Sequence, residues 1–229
     1  MNDRFAGHVV ITGGLGGLGS AVVEAFAVAG ATCHLPVLEP PRGPLPGPAG
    51  QVHTAVVDLT DESAVARFYD SVPALTASVH LAGGFHGGPI TETTRADLER
   101  LVSLNLITTF LCCREAVRRM RSHGGGRIVN VGARVSEVAV GKLAAYTATK
   151  AAVAGLTRSL AEEVRAEGIQ VNAVLPSIID TPGNRAAMPN ADFSAWPKPA
   201  EIAAAILWLA SPANALVSGA LVPVSGRAG

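Results

Sequence analysis

Residues 8–19 read His-Val-Val-Ile-Thr-Gly-Gly-Leu-Gly-Gly-Leu-Gly, and a helical pattern follows them as far as Ala29. An apolar run, a glycine-rich turn and a helix therefore follow one another in order. Glycines let the backbone come close to a pyrophosphate, and the N-terminus of the next helix supplies amide donors and a favourable dipole. Such turns also occur in ordinary flexible loops, but this strand, turn and helix context is the one that a dinucleotide site requires.

Short β-branched runs alternate with helical stretches along the whole chain, which predicts an α/β fold with a parallel sheet covered on both faces. Seven strands are predicted at residues 8–12, 31–38, 51–57, 78–82, 127–131, 170–175 and 220–224. Helices are predicted at residues 18–29, 61–72, 95–122, 145–167 and 199–210. Residues 40–50 hold five prolines and three glycines, so the second strand is expected to reach the third through a loop.

Composition limits the class of protein. The 229 residues suit a single domain, and 48% hydrophobic with 4% aromatic residues indicates a core of small aliphatic side chains. Net charge is zero, so neither a nucleic-acid nor a membrane partner is expected, and an arginine cluster at positions 114, 118, 119 and 121 is interpreted as a solvated face.

Cysteine and histidine usage adds to these limits. Three cysteines cannot all pair, and neither a signal peptide nor a run long enough to span a bilayer is visible, so a reduced, cytoplasmic location is expected. The six histidines show no ligand spacing, and no metal site is predicted.

Tyr146 and Lys150 stand four residues apart near the start of a long alanine-rich helical stretch. On a helix this spacing places both side chains on one face. The ammonium group is then expected to lower the pKa of the phenol and to steer its proton toward a bound substrate. By itself the pair is weak evidence, because it occurs by chance on many helices. Together with the glycine turn upstream it indicates hydride transfer on a nicotinamide.

A set of further motifs occurs in a fixed order: Thr12-Gly13 with Gly17 and Gly19, Asp58 after the third strand, Ala82-Gly83 after the fourth, Asn105, Tyr146-x-x-x-Lys150, and Asn172-Ala173-Val174-Leu175-Pro176 running on to Thr181. On these motifs the chain resembles the short-chain dehydrogenase/reductase family over nearly its whole length. The resemblance implies one Rossmann-type domain with a doubly wound, seven-stranded parallel sheet, and NAD or NADP as cofactor.

The resemblance also implies roles for individual residues. Tyr146 would be the acid or base, Lys150 would hold the nicotinamide ribose, and Asn105 would support a water-mediated proton relay. The residues expected to bind the cofactor are Gly13, Leu15, Gly17, Leu18, Gly19, Asp58, Leu59, Ala82, Gly83, Tyr146, Lys150, Pro176, Ile179 and Thr181. The predicted helices 95–122 and 145–167 would pair with their copies in another subunit, giving a homodimer or homotetramer.

Departures from the family pattern leave alternatives open. The family usually carries a serine thirteen residues before the tyrosine, where this chain has Ala133. Ser136 would replace that hydroxyl only if the loop were bent differently, and its other interpretation is an ordinary loop hydroxyl. The alternative to an active oxidoreductase is therefore a dinucleotide-binding protein with weak or lost catalysis. The Asn-Asn-Ala-Gly motif is altered to His80-Leu81-Ala82-Gly83, which changes local polarity.

Some departures resemble the dihydropteridine reductase branch of the family. They are Ala133 itself, the short second crossover, the segment Ala82-Gly83-Gly84-Phe85-His86-Gly87-Gly88, and the long stretch from Asp180 to Trp196. This resemblance implies a quinonoid dihydropterin-like substrate as well as a carbonyl/alcohol pair. The candidate substrate residues are Phe85, His86, Phe193 and Trp196, and residues 182–197, which show no clear periodicity, are predicted to form a mobile lid.

Cofactor preference depends on the end of the second strand. An acidic residue there would bind the ribose diol, but the position is Val37. Glu39 lies two residues later, whereas Arg42 would favour a 2'-phosphate. Because the glycine loop holds no basic residue, the sequence favours NAD over NADP.

Overall fold

A computed structural model describes residues 5–227 of the chain. Seven strands form one sheet in the order β3-β2-β1-β4-β5-β6-β7, and every neighbouring pair is parallel. The strands are β1 (Gly7–Thr12), β2 (Ala31–Val37), β3 (Val52–Val56), β4 (Leu75–His80), β5 (Gly126–Val131), β6 (Ile169–Pro176) and β7 (Leu221–Val224). The predicted seven-stranded, doubly wound α/β sheet is confirmed.

Helices connect the strands and cover both faces. They are α1 (Gly19–Val28), α2 (Glu62–Ser71), α3 (Arg95–Leu101), a π-helical segment (Val102–Ile107), α4 (Thr108–Arg121), α5 (Ala144–Glu163), α6 (Pro182–Ala187) and α7 (Pro199–Ala210). Short 3₁₀ turns lie at Arg134–Ser136, Arg165–Glu167 and Phe193–Ala195. Within residues 5–227, none of these helices is long and apolar enough to cross a membrane.

Two hydrophobic cores lie on opposite faces of the sheet. On one face, α1 and α7 pack against alternate residues of the strands, such as Val9 and Ile11. On the other face α2, α4 and α5 cover residues such as Val10 and Ile128. Because successive side chains of a strand point to opposite faces, a sheet buried on both sides needs apolar residues at nearly every position. This requirement explains the near-continuous apolar strands of the sequence.

The predicted proline-rich loop is confirmed between β2 and β3. A parallel connection normally carries a helix over the sheet, and here the loop takes that place. Leu45 packs against the core beside α1. A Cβ atom at Gly47 would lie 2.8 Å from Cβ of Ala27 on α1, so the loop lies directly on that helix.

Three predictions about helices are corrected. The helix predicted over 95–122 is interrupted by the π-helical segment Val102–Ile107. The helix predicted over 145–167 continues past Glu163 only as a 3₁₀ turn. Residues 182–197, predicted as a loop, begin with the helix α6, whose N-terminus is capped by Thr181 and carries a proline in its first turn. This signal was present in the sequence, but the helix is too short to show a periodicity.

The arginine cluster on α4 is partly exposed, as its interpretation as a solvated face requires, but its side chains also make specific contacts with neighbouring elements. Arg114 and Arg118 both donate to Glu115, whose carboxylate is buried. Arg119 donates to the carbonyl of Val72 at the end of α2, 2.7 Å away. Other partners are Glu62 for Arg114, Asp70 for Arg118 and Glu167 for Arg121. The cluster therefore ties α4 to α2 and to the end of α5.

A chain of hydrogen bonds crosses the buried side of the sheet through His80. Its Nε2 lies 2.8 Å from Ser78 Oγ, and its Nδ1 lies 2.8 Å from Asn130 Oδ1. An amide oxygen only accepts, so Nδ1 carries the proton and Nε2 accepts from Ser78. Asn130 then donates to Thr157 on α5 over 2.9 Å. Burial lowers the pKa of His80 to about 4, so the ring is neutral.

His80 makes stability dependent on pH. The folded-state pKa of about 4 lies below the ordinary histidine value of 6.5. Below pH 6.5 the unfolded chain therefore binds a proton that the folded chain refuses, and stability falls until about pH 4. The full difference is about 3 kcal/mol. Urea unfolding of the wild type and of His80→Asn between pH 7.5 and 4 should show the wild type losing about that much more.

His123→Asn serves as the control for the loss of a histidine, because His123 is exposed on the surface. Parallel pH profiles for the wild type and His80→Asn would show that the buried ring does not stay neutral.

Candidate functional site

The glycine turn of residues 13–19 is held by contacts that no side chain would allow. Gly13 has a φ of +65°, and a Cβ atom on it would lie 2.9 Å from the amide nitrogen of Ala82. A Cβ atom at Gly19 would lie 2.0 Å from the carbonyl oxygen of Gly13. These contacts bring the end of β1 against the segment after β4, while Leu15 remains exposed.

The first turn of α1 offers backbone donors to an anion. Leu18 stands at the N-cap, where it supplies no side-chain hydrogen bond. Uncapped amides at a helix N-terminus, preceded by glycines, form a site for a phosphate group. Gly17 faces the segment after β6, because a Cβ atom on it would lie 3.0 Å from Cγ2 of Thr181. The residues present therefore fit a dinucleotide pyrophosphate.

The residues expected around the adenosine lie at the ends of β2 and β3. Asp58 is exposed, and its Oδ1 accepts from the amide and hydroxyl of Thr60 at 2.8 and 2.7 Å, which lowers the pKa of its carboxyl group. Leu59 is buried beside it. After Val37, Glu39 and Arg42 form an exposed ion pair with 3.7 Å between the charged atoms. Each of these two side chains therefore partly neutralises the other.

Tyr146 and Lys150 lie on one face of α5, at the carboxyl edge of the sheet. The Lys150 Nζ lies 6.0 Å from the centre of the Tyr146 ring and donates to the carbonyl of Val131 over 2.9 Å. Burial raises the pKa of Tyr146 to about 12 and lowers that of Lys150 to about 8. The expectation that the ammonium lowers the phenol's pKa is thus not met in the protein alone, because desolvation dominates both groups.

Asn105 lies in the π-helical segment and is buried. Its Oδ1 accepts from the amide of Gly84 at 2.8 Å, and its Nδ2 donates to the carbonyl of Gly84 and to Thr149 Oγ1 at 3.1 and 3.0 Å. A Cβ atom at Gly83 would lie 2.7 Å from Asn105 Oδ1 and 3.5 Å from Lys150 Nζ. The glycine thus allows the amide and the ammonium to share this corner of the site. π-Helical insertions occur frequently at functional sites.

In the loop after β5, no side chain places a hydroxyl at position 133, where the family usually has a serine. Ala133 is buried there in extended conformation. Ser136 donates to the carbonyl of Ala133 over 2.7 Å, so its hydroxyl closes the 3₁₀ turn Arg134–Ser136. This geometry agrees with the interpretation of Ser136 as a loop hydroxyl.

Phe85 is the candidate substrate residue that lies against Tyr146. The two ring centres are 5.0 Å apart in an edge-to-face arrangement, and Phe85 is 62% exposed. The next residue, His86, turns toward Asp97 on α3, with 3.8 Å between Nδ1 and Oδ1. The amide of Gly88 donates to the carbonyl of Lys142 over 2.8 Å, which fixes this loop beside α5.

The segment after β6 carries the residues expected near the nicotinamide. Pro176 is the last residue of β6, and the carbonyl of Ile179 accepts from the Thr181 amide and from Asn184 Nδ2, both over 2.8 Å. Arg185 on α6 forms two bonds to Asp180. The start of the predicted lid is therefore folded and internally bonded.

The other two candidate substrate residues, Phe193 and Trp196, lie in the second half of the predicted lid. Their ring centres are 5.0 Å apart, and Trp196 is buried with only 7% of its surface exposed. The amide of Arg227 donates to the carbonyl of Ala195 over 2.9 Å, and that of Asp180 to the carbonyl of Pro197 over 3.0 Å. Residues 193–197 are thus anchored by these backbone hydrogen bonds.

Sequence reasoning missed three participants in this site. Thr149 holds the Asn105 amide, and the Val131 carbonyl holds Lys150. Arg134 reaches across to Ser225 after β7, with 2.8 Å between Nη1 and Oγ. The threonine could have been found from its place on the Tyr146 helix, whereas a backbone carbonyl leaves no signal in a sequence.

Comparison with known proteins agrees with this geometry. A family model described as short chain dehydrogenase matches residues 7–192. The cis-4-hydroxycyclohexanecarboxylate dehydrogenase of Sinomonas cyclohexanicum is 34% identical, with 99% of this chain and 98% of the relative covered. The D-threitol dehydrogenase of Mycolicibacterium smegmatis is 31% identical, with 97% and 93% covered.

A solved structure adds to these relatives. A short-chain type dehydrogenase/reductase from Mycobacterium ulcerans superposes with a TM-score of 0.88 at 27% identity, with 99% of this chain and 90% of that one covered. The chain belongs to the short-chain dehydrogenase/reductase family. It is accordingly an NAD(P)-dependent oxidoreductase.

The anchoring of residues 193–197 predicts how the lid behaves. Hydrogen exchange with and without NAD should show residues 183–192 gaining protection when the cofactor binds, because α6 is a single short helix that a bound cofactor would stabilise against opening. Residues 193–197 should be protected in both samples, since the tail already holds them. Equal exchange of residues 183–192 in the two samples would contradict a lid.

Proposed function

We propose that Tyr146, Lys150 and Asn105 are the catalytic residues of this enzyme and that it transfers a hydride between NAD(P) and a carbonyl/alcohol pair. The observation that carries the proposal is the convergence of the three side chains at one edge of the sheet, with Phe85 exposed beside the phenol. The bound cofactor would supply or accept the hydride, held by the glycine turn, Asp58, Ala82, Gly83 and the Pro176–Thr181 segment.

Residues of this chain would transfer the proton to and from the substrate oxygen. Tyr146 donates its proton to the substrate oxygen in reduction and takes it back in oxidation. Lys150, a buried cation held by one backbone carbonyl, stabilises the phenolate that Tyr146 becomes. Asn105 keeps the backbone of Gly84 in place and positions the polar corner beside Lys150. Phe85 shields the phenol from solvent on one side.

A second candidate substrate is a quinonoid dihydropterin-like compound. Two observations favour it: Ala133 supplies no hydroxyl to polarise a carbonyl, and Phe85 offers an aromatic wall to a flat ring. Reduction of such a conjugated system needs a proton donor but no second hydrogen bond to a carbonyl oxygen. We propose that Phe193 and Trp196, in the second half of the lid, and His86, beside Phe85, also contact this substrate.

We further propose NAD as the preferred cofactor. The end of β2 offers neither an acidic nor a basic side chain, and the exposed Arg42 is paired with Glu39. A 2'-phosphate would have to compete with that carboxylate for the arginine.

We also propose that the enzyme works as a homodimer or homotetramer in the cytoplasm. Ile107 and Phe110 remain partly exposed on the helices expected to pair between subunits, which supports a further apolar contact there.

The tyrosine assignment predicts the effect of a single hydroxyl. Tyr146→Phe should lower kcat about 100-fold or more, because general acid catalysis contributes about 10² to 10⁴. The dissociation constant of NADH should stay within about twofold, since the ring remains. Tyr69→Phe is the matched control, because Tyr69 is the only other tyrosine of the chain and is buried under the sheet. Near-normal turnover of Tyr146→Phe would remove Tyr146 from the mechanism.

The missing serine predicts a gain of function. Ala133→Ser would add a hydrogen bond to a carbonyl oxygen, and such a preorganised donor contributes about 2.7–4 kcal/mol to the barrier. We expect kcat/KM for simple ketones to rise at least tenfold in Ala133→Ser, with little change for quinonoid dihydropterin. Ala139→Ser, in the same loop, is the control. A fall in ketone reduction would show that the pocket excludes a hydroxyl, and no turnover of any substrate by the wild type would favour lost catalysis.

A further inference from the structure

The C-terminal tail, residues 225–227, leaves the sheet at the edge where the catalytic residues lie. Because β7 runs parallel to β6, with Pro176 beside Val224 in the register, both strands end at this edge. Ser225 is half-buried, and its carbonyl accepts from the Ser177 hydroxyl over 3.0 Å. Ser177 directly follows Pro176, at the start of the segment that we propose to hold the nicotinamide. The tail therefore contacts this cofactor segment as soon as the sheet ends.

The same serine is also bonded to the loop after β5. Nη1 of Arg134 donates to the Ser225 hydroxyl over 2.8 Å. Arg134 begins the 3₁₀ turn after β5, and the carbonyl that holds Lys150 belongs to Val131, the last residue of that strand. Ser225 thus fixes the loop next to the catalytic lysine and the segment after β6 relative to each other.

Gly226 lies against the anchored end of the predicted lid, with no room for a side chain. Its φ is +61°, and a Cβ atom on it would lie 2.7 Å from the carbonyl oxygen of Ala195 and 2.8 Å from the backbone nitrogen of Pro197. The amide of Arg227 donates to the same carbonyl of Ala195 over 2.9 Å. The carbonyl of Pro197 in turn accepts from the amide of Asp180, in the cofactor segment, over 3.0 Å. A shift of the tail would therefore reach the cofactor segment through the lid as well as directly.

Hydride transfer requires that these segments keep their relative positions. A misplacement of about 1 Å, even one caused far from the chemistry, can cost about 100-fold in rate. Loops that follow strands are the more mobile parts of a domain, so contacts beyond the sheet are needed to hold them. We propose that residues 225–227 position the nicotinamide half of the cofactor, by holding residues 176–181 against the loop after β5. This role rests on the proposed function, in which residues 176–181 bind the nicotinamide.

The test compares two ligands by calorimetric titration of the full-length protein: NADH, and ADP-ribose, which lacks the nicotinamide ring. In Gly226→Ala the new methyl group displaces residues 195–197, so the dissociation constant of NADH should rise about tenfold or more, while that of ADP-ribose should stay within about twofold. Gly219→Ala is the matched control, because Gly219 also has a positive φ, +76°, but its Cβ atom would meet only Cβ of Ala161, at 3.6 Å. Gly219 precedes β7, at the opposite edge of the sheet, so its variant should change neither constant.

A second pair of variants removes one hydroxyl each. Ser177→Ala loses the bond to the tail, so the dissociation constant of NADH should rise about threefold to tenfold, the contribution of one neutral hydrogen bond, with ADP-ribose binding again unchanged. Ser218→Ala is the control. The Ser218 hydroxyl also makes a hydrogen bond to the backbone, accepting from the amide of Val171 over 3.1 Å, but at the amino edge of the sheet.

Equal weakening of NADH and ADP-ribose binding in Gly226→Ala and Ser177→Ala would overturn the positioning role, because a tail that only stabilises the fold affects both ligands alike. Unchanged NADH binding in both variants would overturn it as well, and so would a selective loss of NADH binding in Gly219→Ala. The readout is binding, so a lack of turnover, which would contradict the proposed function, does not alter it. Where NADPH binds more tightly than NADH, NADPH and 2'-phospho-ADP-ribose form the matching pair of ligands.

Discussion

The close approach of Gly13 and Gly19 is the constraint on which the rest of the site depends. A Cβ atom at position 19 would lie 2.0 Å from the carbonyl oxygen of Gly13, so only glycine can occupy position 19. The turn can then join β1 to α1 without a longer loop, and α1 begins directly at the carboxyl edge of the sheet. The same turn contacts Ala82 and faces Thr181. The connections that follow β1, β4 and β6 thus meet at this glycine turn. The cofactor cleft forms there because the strand order reverses between β1 and β4.

Burial at the catalytic corner has opposite effects on its two titratable groups. Desolvation raises the pKa of the Tyr146 phenol and lowers the pKa of the Lys150 ammonium group, so both neutral forms are favoured. The hydrogen bond to the carbonyl of Val131 offsets part of the desolvation cost of Lys150, and Gly83 leaves room for the Asn105 amide near it. Neither group is therefore poised for proton transfer in the protein alone. A negative charge near Lys150 would stabilise its ammonium form, whereas only a positive charge or a hydrogen-bond donor beside Tyr146 would lower the pKa of the phenol.

Much of the fold followed from the sequence because strand periodicity, glycine spacing and proline content are local signals. Strand and helix bounds agreed to within a few residues, and β1, β2 and α7 agreed almost completely. What could not be predicted depends on tertiary contacts. The π-helical segment around Asn105 has no propensity signature in the sequence. The arginines of α4 looked solvated because their carboxylate partners lie on other helices, 46 to 52 residues away. The burial of Trp196 likewise requires the C-terminal tail, which approaches it only in the folded chain.

Ala133 links the structure to the choice of substrate. The serine is absent and Ser136 is bonded to the carbonyl of Ala133, so in our proposal Tyr146 is the hydroxyl that donates to a substrate oxygen. A simple ketone would then develop its oxyanion beside one donor, at a loss of about 2.7–4 kcal/mol for the missing one. A substrate whose negative charge spreads over a conjugated ring needs less local stabilisation. It also gains contact with Phe85, which lies exposed beside Tyr146. The loss of the serine and the exposed aromatic ring are the two observations behind our proposal of a flat, conjugated compound as the second candidate substrate.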